Sequence, residues 1–201
     1  MSKKRLSYII FFSVLVVIFL VVLSFVPGFK KQNFPPLSTV RPFSFTTQDG
    51  TPFTQKNLEG KVVVVEYFFT TCTGICPRMN NNMRKVYETF KNEPNFLILS
   101  HTCDPQTDSA ARLKQYADSM GVDTKRWVFL TGRKDSLYKM ARFSYKIDDP
   151  SNNVANIDDD FLHSQFMAVV NKNGEVTKVY DGLKPTEIAE MEKEVTKLLK
   201  Q

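Results

Sequence analysis

The sequence has 201 residues, 42% of them hydrophobic and 24% charged, with three cysteines and a formal net charge of +6. That length suits one ordinary domain. The charge does not mark a nucleic-acid binder: five of the 27 basic residues flank the first apolar run, leaving 22 against 21 acidic ones, so no phosphate-binding surface is implied.

From Leu6 to Val26 no residue is charged, and the run is long enough to cross a bilayer core of about 30 Å. A cleaved signal peptide has a shorter apolar region and small residues at its cleavage site. Residues 1–26 therefore read as a short cytoplasmic stub and a retained transmembrane signal anchor. Lys3, Lys4 and Arg5 precede the run and only Lys30 and Lys31 follow closely. That bias places the N-terminus in the cytoplasm and the remainder on the extracytoplasmic, periplasmic side of an inner membrane. Residues 27–40, with three prolines and no apolar period, read as a tether, and residues 41–201 as one domain.

Within that domain "KVVVVEYFF" at 61–69 has the pattern of a strand buried on both faces of a parallel sheet. A helix is expected from the second cysteine, with Pro77 in its first turn and Met79, Met83, Val86, Tyr87 and Phe90 on its apolar face. "NFLILSH" gives a second buried strand. An Asp108-led helix follows, with Ala110, Leu113, Ala117 and Met120 inward and Gly121 as its stop. "WVFLTG" gives a third strand, and Leu137, Met140, Ala141 and "FSY" a further helix. Residues 146–160 are polar and unpatterned, a long loop of the kind that carries function or docks a partner. "QFMAVV", "NKNG" and "EVTKVYD" form a terminal hairpin. Pro185 opens a last helix with Ile188, Met191, Val195, Leu198 and Leu199 inward. This order is an α/β fold, a mixed sheet with an antiparallel edge flanked by helices. It is also the order of thioredoxin-like folds, whose redox centre lies where the first central strand meets its helix.

Cys72 and Cys76 fall at that junction, where free amides and the helix dipole favour a thiolate. At i, i+4 spacing they share a face about 5–6 Å apart at Cβ, so they can bridge or clamp one ion. A structural disulfide there closes too small a loop to restrain the unfolded chain much. Three uses stay open. A thiol-disulfide oxidoreductase normally carries C-x-x-C rather than this longer spacing. A structural zinc site needs four ligands, and no second cysteine pair completes it. A copper site needs fewer, soft thiolates for Cu(I) with an imidazole to help hold Cu(II). The chain has two histidines. His163 stands just before a strand, near where a thioredoxin places a proline against its cysteine pair. His101 ends a buried strand and reads as a structural or outer residue. Met79 and Met83 lie on an apolar helix face and read as core, Cys103 as a packed hydrophobe with a resolving thiol as the sharper alternative. Asp104 and Asp108 read as loop-shaping and helix-capping residues.

With "FSFTTQDGTPFTQKNLEGKVVVVEYFFTTCTGICP", "SHTCDPQTDS", "WVFLTG" and "FLHSQFMAVVNKNG", the chain from about Phe43 onward resembles the Sco/SenC family of membrane-anchored copper proteins of cytochrome c oxidase assembly. The resemblance implies a thioredoxin-like fold and a Cu(I)/Cu(II) site made by Cys72, Cys76 and His163. It implies as partner the oxidase's subunit II or another copper or thiol client, to which the protein delivers copper or whose cysteines it reduces. The chain departs from the family at Leu162, where an acidic residue commonly precedes the histidine; here Asp158, Asp159 and Asp160 lie upstream. Cys103 also stands where the family usually has an aliphatic residue. A metallochaperone is the reading carried forward. The alternatives are a membrane-tethered thiol-disulfide reductase using Cys72 and Cys76 catalytically, and a sensor of redox or copper status.

Overall fold

The computed structural model describes residues 3–25, 35–152 and 156–201. They belong to two units, Met1–Pro35 and Pro36–Gln201. In the first, helix α1 (Lys3–Phe25) is long and apolar enough to cross a membrane, with a mean hydropathy of 3.1 over Lys3–Leu23.

The second unit is built on three parallel strands, β4 (Val62–Phe68), β5 (Phe96–Thr102) and β6 (Trp127–Thr131). Every residue of all three is buried, as their unbroken β-branched and aromatic runs require. The register between β4 and β5 runs without a slip from Val62 opposite Phe96 to Phe68 opposite Thr102. The two strands therefore end together, at the loop that carries the first cysteine. Antiparallel strands flank this centre on both sides. β7 (Phe166–Val170) pairs with β4, β8 (Glu175–Asp181) with β7, and β1 (Ser38–Thr39) with β8. On the far side β2 (Ser44–Thr47) pairs with β6, and β3 (Pro52–Thr54) with β2. The expected sheet thus has two antiparallel edges rather than one. The short N-terminal hairpin β2–β3 was hidden because four and three residues are too few to show a period. Residues 36–40, read as tether from their prolines, join the folded unit, because Ser38 and Thr39 pair with Val176 and Glu175.

Side chains alternate across the central strands. Val62, Val64 and Phe68 meet helix α2 (Cys76–Phe90), helix α3 (Ala110–Met120) and helix α5 (Pro185–Leu199) in one core layer. Val63, Val65 and Tyr67 face the other layer, made by helix α4 (Lys134–Lys139), the wider π-helical turn Met140–Tyr145 and the phenylalanines of the β2–β3 hairpin. Met79 and Met83 are fully buried in the α2 layer, which is the core role expected of them. α3 ends on Gly121 in the left-handed region, but its cap is Ser109, whose hydroxyl accepts from Arg112 N–H, and not Asp108.

After β8 the chain turns at Gly182, whose amide donates to the Gln165 carbonyl at 2.8 Å. A Cβ here would stand 2.8 Å from that carbonyl oxygen and from Met167 Cε, and 3.1 Å from Met79 Cγ. Gly182→Ala is accordingly expected to lower unfolding stability by about 1–3 kcal/mol, as overpacking against backbone does. Chemical denaturation of the variant checks this, and an unchanged midpoint would contradict the close approach.

Candidate metal and thiol site

The first cysteine lies on the loop between β4 and α2, and a buried carboxylate fixes how that loop leaves the sheet. Asp108 is fully buried; one oxygen accepts from Thr70 Oγ1 at 2.5 Å and the other from Thr70 N at 3.1 Å and Thr102 Oγ1 at 2.6 Å. The Arg112 guanidinium stands 3.7 Å away and balances its charge. Asp108 therefore ties the ends of β4 and β5 together two residues before Thr71 gives way to Cys72, instead of capping the helix after it. Cys72 N then closes the turn on the Phe69 carbonyl at 3.2 Å.

α2 starts without a side-chain cap: Ile75 occupies the cap position and Pro77 removes one donor. Cys72 is half-buried, Cys76 is buried, and both are free thiols close enough for each to shift the other's proton affinity. Burial pushes the Cys72 thiol up, but hydrogen bonds from the Cys76 thiol and from the amides of Cys76, Gly74 and Ile75 outweigh it and bring its pKa below the usual range. Cys76 goes the other way. Burial, the bond to Cys72 and the nearby charges of Cys72 and Glu66 raise it to about 12. The pair therefore splits, with Cys72 the more acidic sulfur and Cys76 the one that keeps its proton.

Glu66 is the lone charge in the apolar run of β4, and it lies on the α2-facing side of the strand. One oxygen accepts from Ser100 Oγ at 2.6 Å, and Ser100 in turn accepts from Trp127 Nε1 at 2.8 Å. The other oxygen has no hydrogen-bond partner, and burial raises the carboxyl to about 7. Its sequence signal was plain, a glutamate among valines, but not its use.

His163 is exposed beside the buried Leu162. Its ring lies 4.5 Å from the Phe161 ring and 5.7 Å, edge to face, from the Phe69 ring, and the two phenylalanines meet edge to face at 5.3 Å. Phe69 thus touches both parts of the candidate site, the cysteine loop through its carbonyl and the histidine through its ring. The thiols are brought together, whereas the imidazole stands apart: among the described residues no three His, Cys, Asp or Glu side chains converge closely enough to hold a metal ion.

His101 and Cys103 belong to the opposite face of the sheet. His101 is fully buried, stacked on Tyr67 at 5.0 Å, and neither ring nitrogen has a hydrogen-bond partner. Cys103 is buried in the same layer, and burial raises its thiol well above the ordinary range, which leaves it inert as a nucleophile. Neither is part of the cysteine site.

Two measurements follow from these environments. Iodoacetamide at neutral pH should label Cys72 well ahead of Cys76 and Cys103, as peptide mass spectrometry would show; equal labelling of Cys72 and Cys76 would contradict the opposed shifts of the two thiols. His101 is held neutral, its pKa lowered by burial to about 3, against an ordinary value near 6.5. The unfolded chain therefore binds more protons between those values, and folding stability falls as pH drops through that window. His101→Phe should abolish on the order of 2 kcal/mol of the stability lost between pH 7 and pH 4.5, read by urea denaturation at both.

Residues 31–200 match the family model described as SCO1/SenC. A Bacillus subtilis protein described as a SCO1 homolog is 31% identical over 151 residues, covering 73% of this chain and 76% of its own. The structure of BsSco, a member of the Sco family of cytochrome c oxidase assembly proteins in which a disulfide switch was identified, is 28% identical at a TM-score of 0.69, covering 84% of this chain and 98% of its own. Yeast Sco1 with copper bound is 26% identical at a TM-score of 0.58, over 79% and 89% of the two chains. The family model matches far more than half of the sequence, and the fold expected from the resemblance is the fold found: the chain belongs to the SCO1/SenC family.

Proposed function

We propose that the protein is a membrane-anchored copper-binding factor for cytochrome c oxidase assembly, with Cys72, Cys76 and His163 as its copper ligands. The observation that carries the reading is the pair of free thiols at an uncapped helix start, with the Cys72 thiol lowered below its ordinary range. Two such sulfurs are a soft donor set suited to Cu(I), and an imidazole adds the harder donor that Cu(II) prefers. Support comes from relatives described as oxidase assembly proteins and as copper-bound. α1 would be the anchor, with Lys3, Lys4 and Arg5 on the cytoplasmic side and the folded unit outside.

In this reading the residues divide the work. Cys72 offers the first thiolate, its charge held by the amides of Gly74, Ile75 and Cys76. Cys76 keeps its proton until cargo arrives and releases it on ligation, so loading liberates a proton and weakens as pH falls. His163 adds the third donor once the segment bearing it closes toward the loop. Copper is the cargo, passed on to the copper centre of a client such as oxidase subunit II.

The same thiol pair supports a second reading, a dithiol reductase. Cys72 thiolate attacks a client disulfide and forms a mixed disulfide. Cys76 thiolate then displaces the client sulfur, leaving a Cys72–Cys76 disulfide and a client dithiol, with two electrons transferred and atoms conserved.

His163→Ala separates the two. The reduced full-length chain in detergent should bind one copper per molecule, with a thiolate-to-Cu(II) absorption band that the variant loses, while its dithiol exchange with a model disulfide is kept. Copper binding indifferent to His163, or no tight binding at all, would favour the reductase.

A further inference from the structure

The segment that carries His163 is held by a buried ion cluster outside the cysteine loop. Arg142, on the π-helical turn after α4, is only 1% exposed. Its Nε donates to Asp148 Oδ2 at 2.7 Å, and its two terminal nitrogens donate to the two carboxylate oxygens of Asp160 at 2.7 and 3.0 Å. Both carboxylates are themselves largely buried, at 12% and 7% exposed. Asp148 and Asp160 stand at the two ends of the polar stretch 146–160, so one guanidinium draws those ends together. Lysine has no fork with which to do this.

The consequence reaches His163, three residues beyond Asp160. Beyond the cluster Leu162 N donates to the Tyr138 hydroxyl at 3.2 Å, and Ser164 Oγ donates to the Ile147 carbonyl at 3.0 Å. Ile147 is itself tied back by its amide to Ala141 O at 2.9 Å, next to Arg142. Leu162 and Ser164 therefore point inward, and alternation turns Phe161 and His163 outward onto the Phe69 ring. None of these bonds involves Cys72 or Cys76. The π-helical turn is the local device that aims Arg142 inward, since an extra residue per turn re-aims the side chains that follow.

We infer that Arg142, gripping Asp148 and Asp160, is the positioning residue that sets where His163 stands relative to the cysteine loop. In the copper reading, on which this part rests, the clamp governs the ligation that uses the imidazole.

The test uses Arg142→Lys in the full-length chain in detergent. Without metal, the nuclear Overhauser contact between the His163 and Phe69 rings, identified through the chain's two histidines, should be lost, while the alkylation rate of Cys72 stays the same. With metal, copper affinity should fall by about tenfold or more, as when a partner that orients a ligand is removed. A ring contact that persists overturns the inference whatever copper does. A changed Cys72 alkylation rate overturns it too, since that marks a general loss of structure. If the lysine variant fails to fold, Asp160→Asn, which leaves Arg142 paired with Asp148, is read the same way. A wild-type chain without a copper–thiolate band sinks the copper reading, while the ring contact still decides the clamp.

Discussion

The start of α2 and the chemistry of Cys72 are one interaction. No side-chain oxygen caps that helix, and the amides of Gly74 and Ile75 in the turn before it and of Cys76 at its first position favour charge on the Cys72 sulfur. A thiolate accepts such bonds far better than a thiol, and hydrogen bonds to charged groups contribute about 1.5–3 kcal/mol each. Whatever takes the charge from that sulfur, whether a proton, a disulfide partner or a metal, also loosens the cap of the helix. The loop is thus coupled to its own ligation state without any moving part elsewhere. Asp108 anchors Thr70 just upstream of that loop.

The sheet separates two buried titratable groups that would otherwise interfere. Glu66 faces the cysteine layer and His101 the opposite layer, because their strand positions alternate across the β4–β5 register. Both are penalised by burial, in opposite senses. His101 stays neutral and withdraws stability as pH falls below about 6.5. Glu66, raised to about 7, favours folding below its ordinary carboxylate value, and that contribution fades as pH rises through neutrality. The two therefore oppose one another between about pH 4.5 and 6.5, where the stability that His101 loses on acidification is offset by what Glu66 regains. On the cysteine face, a Glu66 that ionises near neutrality adds negative charge near Cys76 and raises its thiol further.

Much of this was legible in the sequence, and the reasons are specific. The strand 61–69, the helix beginning at Cys76 and the terminal hairpin all carry strong periods, and the cysteine spacing with Pro77 located the site before any contact was known. What escaped was tertiary. The β2–β3 hairpin is too short to have a period, and β1 is two residues whose only signal is its partner, β8. Asp108 looks like a cap from its position before a helix, yet the neighbouring Ser109 does that work and leaves the carboxylate for Thr70 and Thr102. Residues 146–160 read as a free polar loop because nothing in their composition reveals a guanidinium buried beneath them. Phe69 and Phe161 carry no chemistry of their own, so their role in seating His163 appears only when the rings are seen together.

The division of the site into a sulfur pair and a separately braced imidazole has a physical logic. Had all three donors been carried on one stiff loop, release of a bound ion would require that loop to deform as a whole, against the bonds of Asp108 and the helix start. Here the cysteines are fixed by α2, and His163 by a segment whose hydrogen bonds run to α4 and the π-helical turn instead. Phe69 bridges the two through its ring and carbonyl, the ring contact being of the kind worth about 0.5–1.5 kcal/mol beyond its buried area. In the proposed copper reading, a third donor so placed can be gained or lost while the pair of sulfurs keeps its geometry, as a carrier that must release its ion requires.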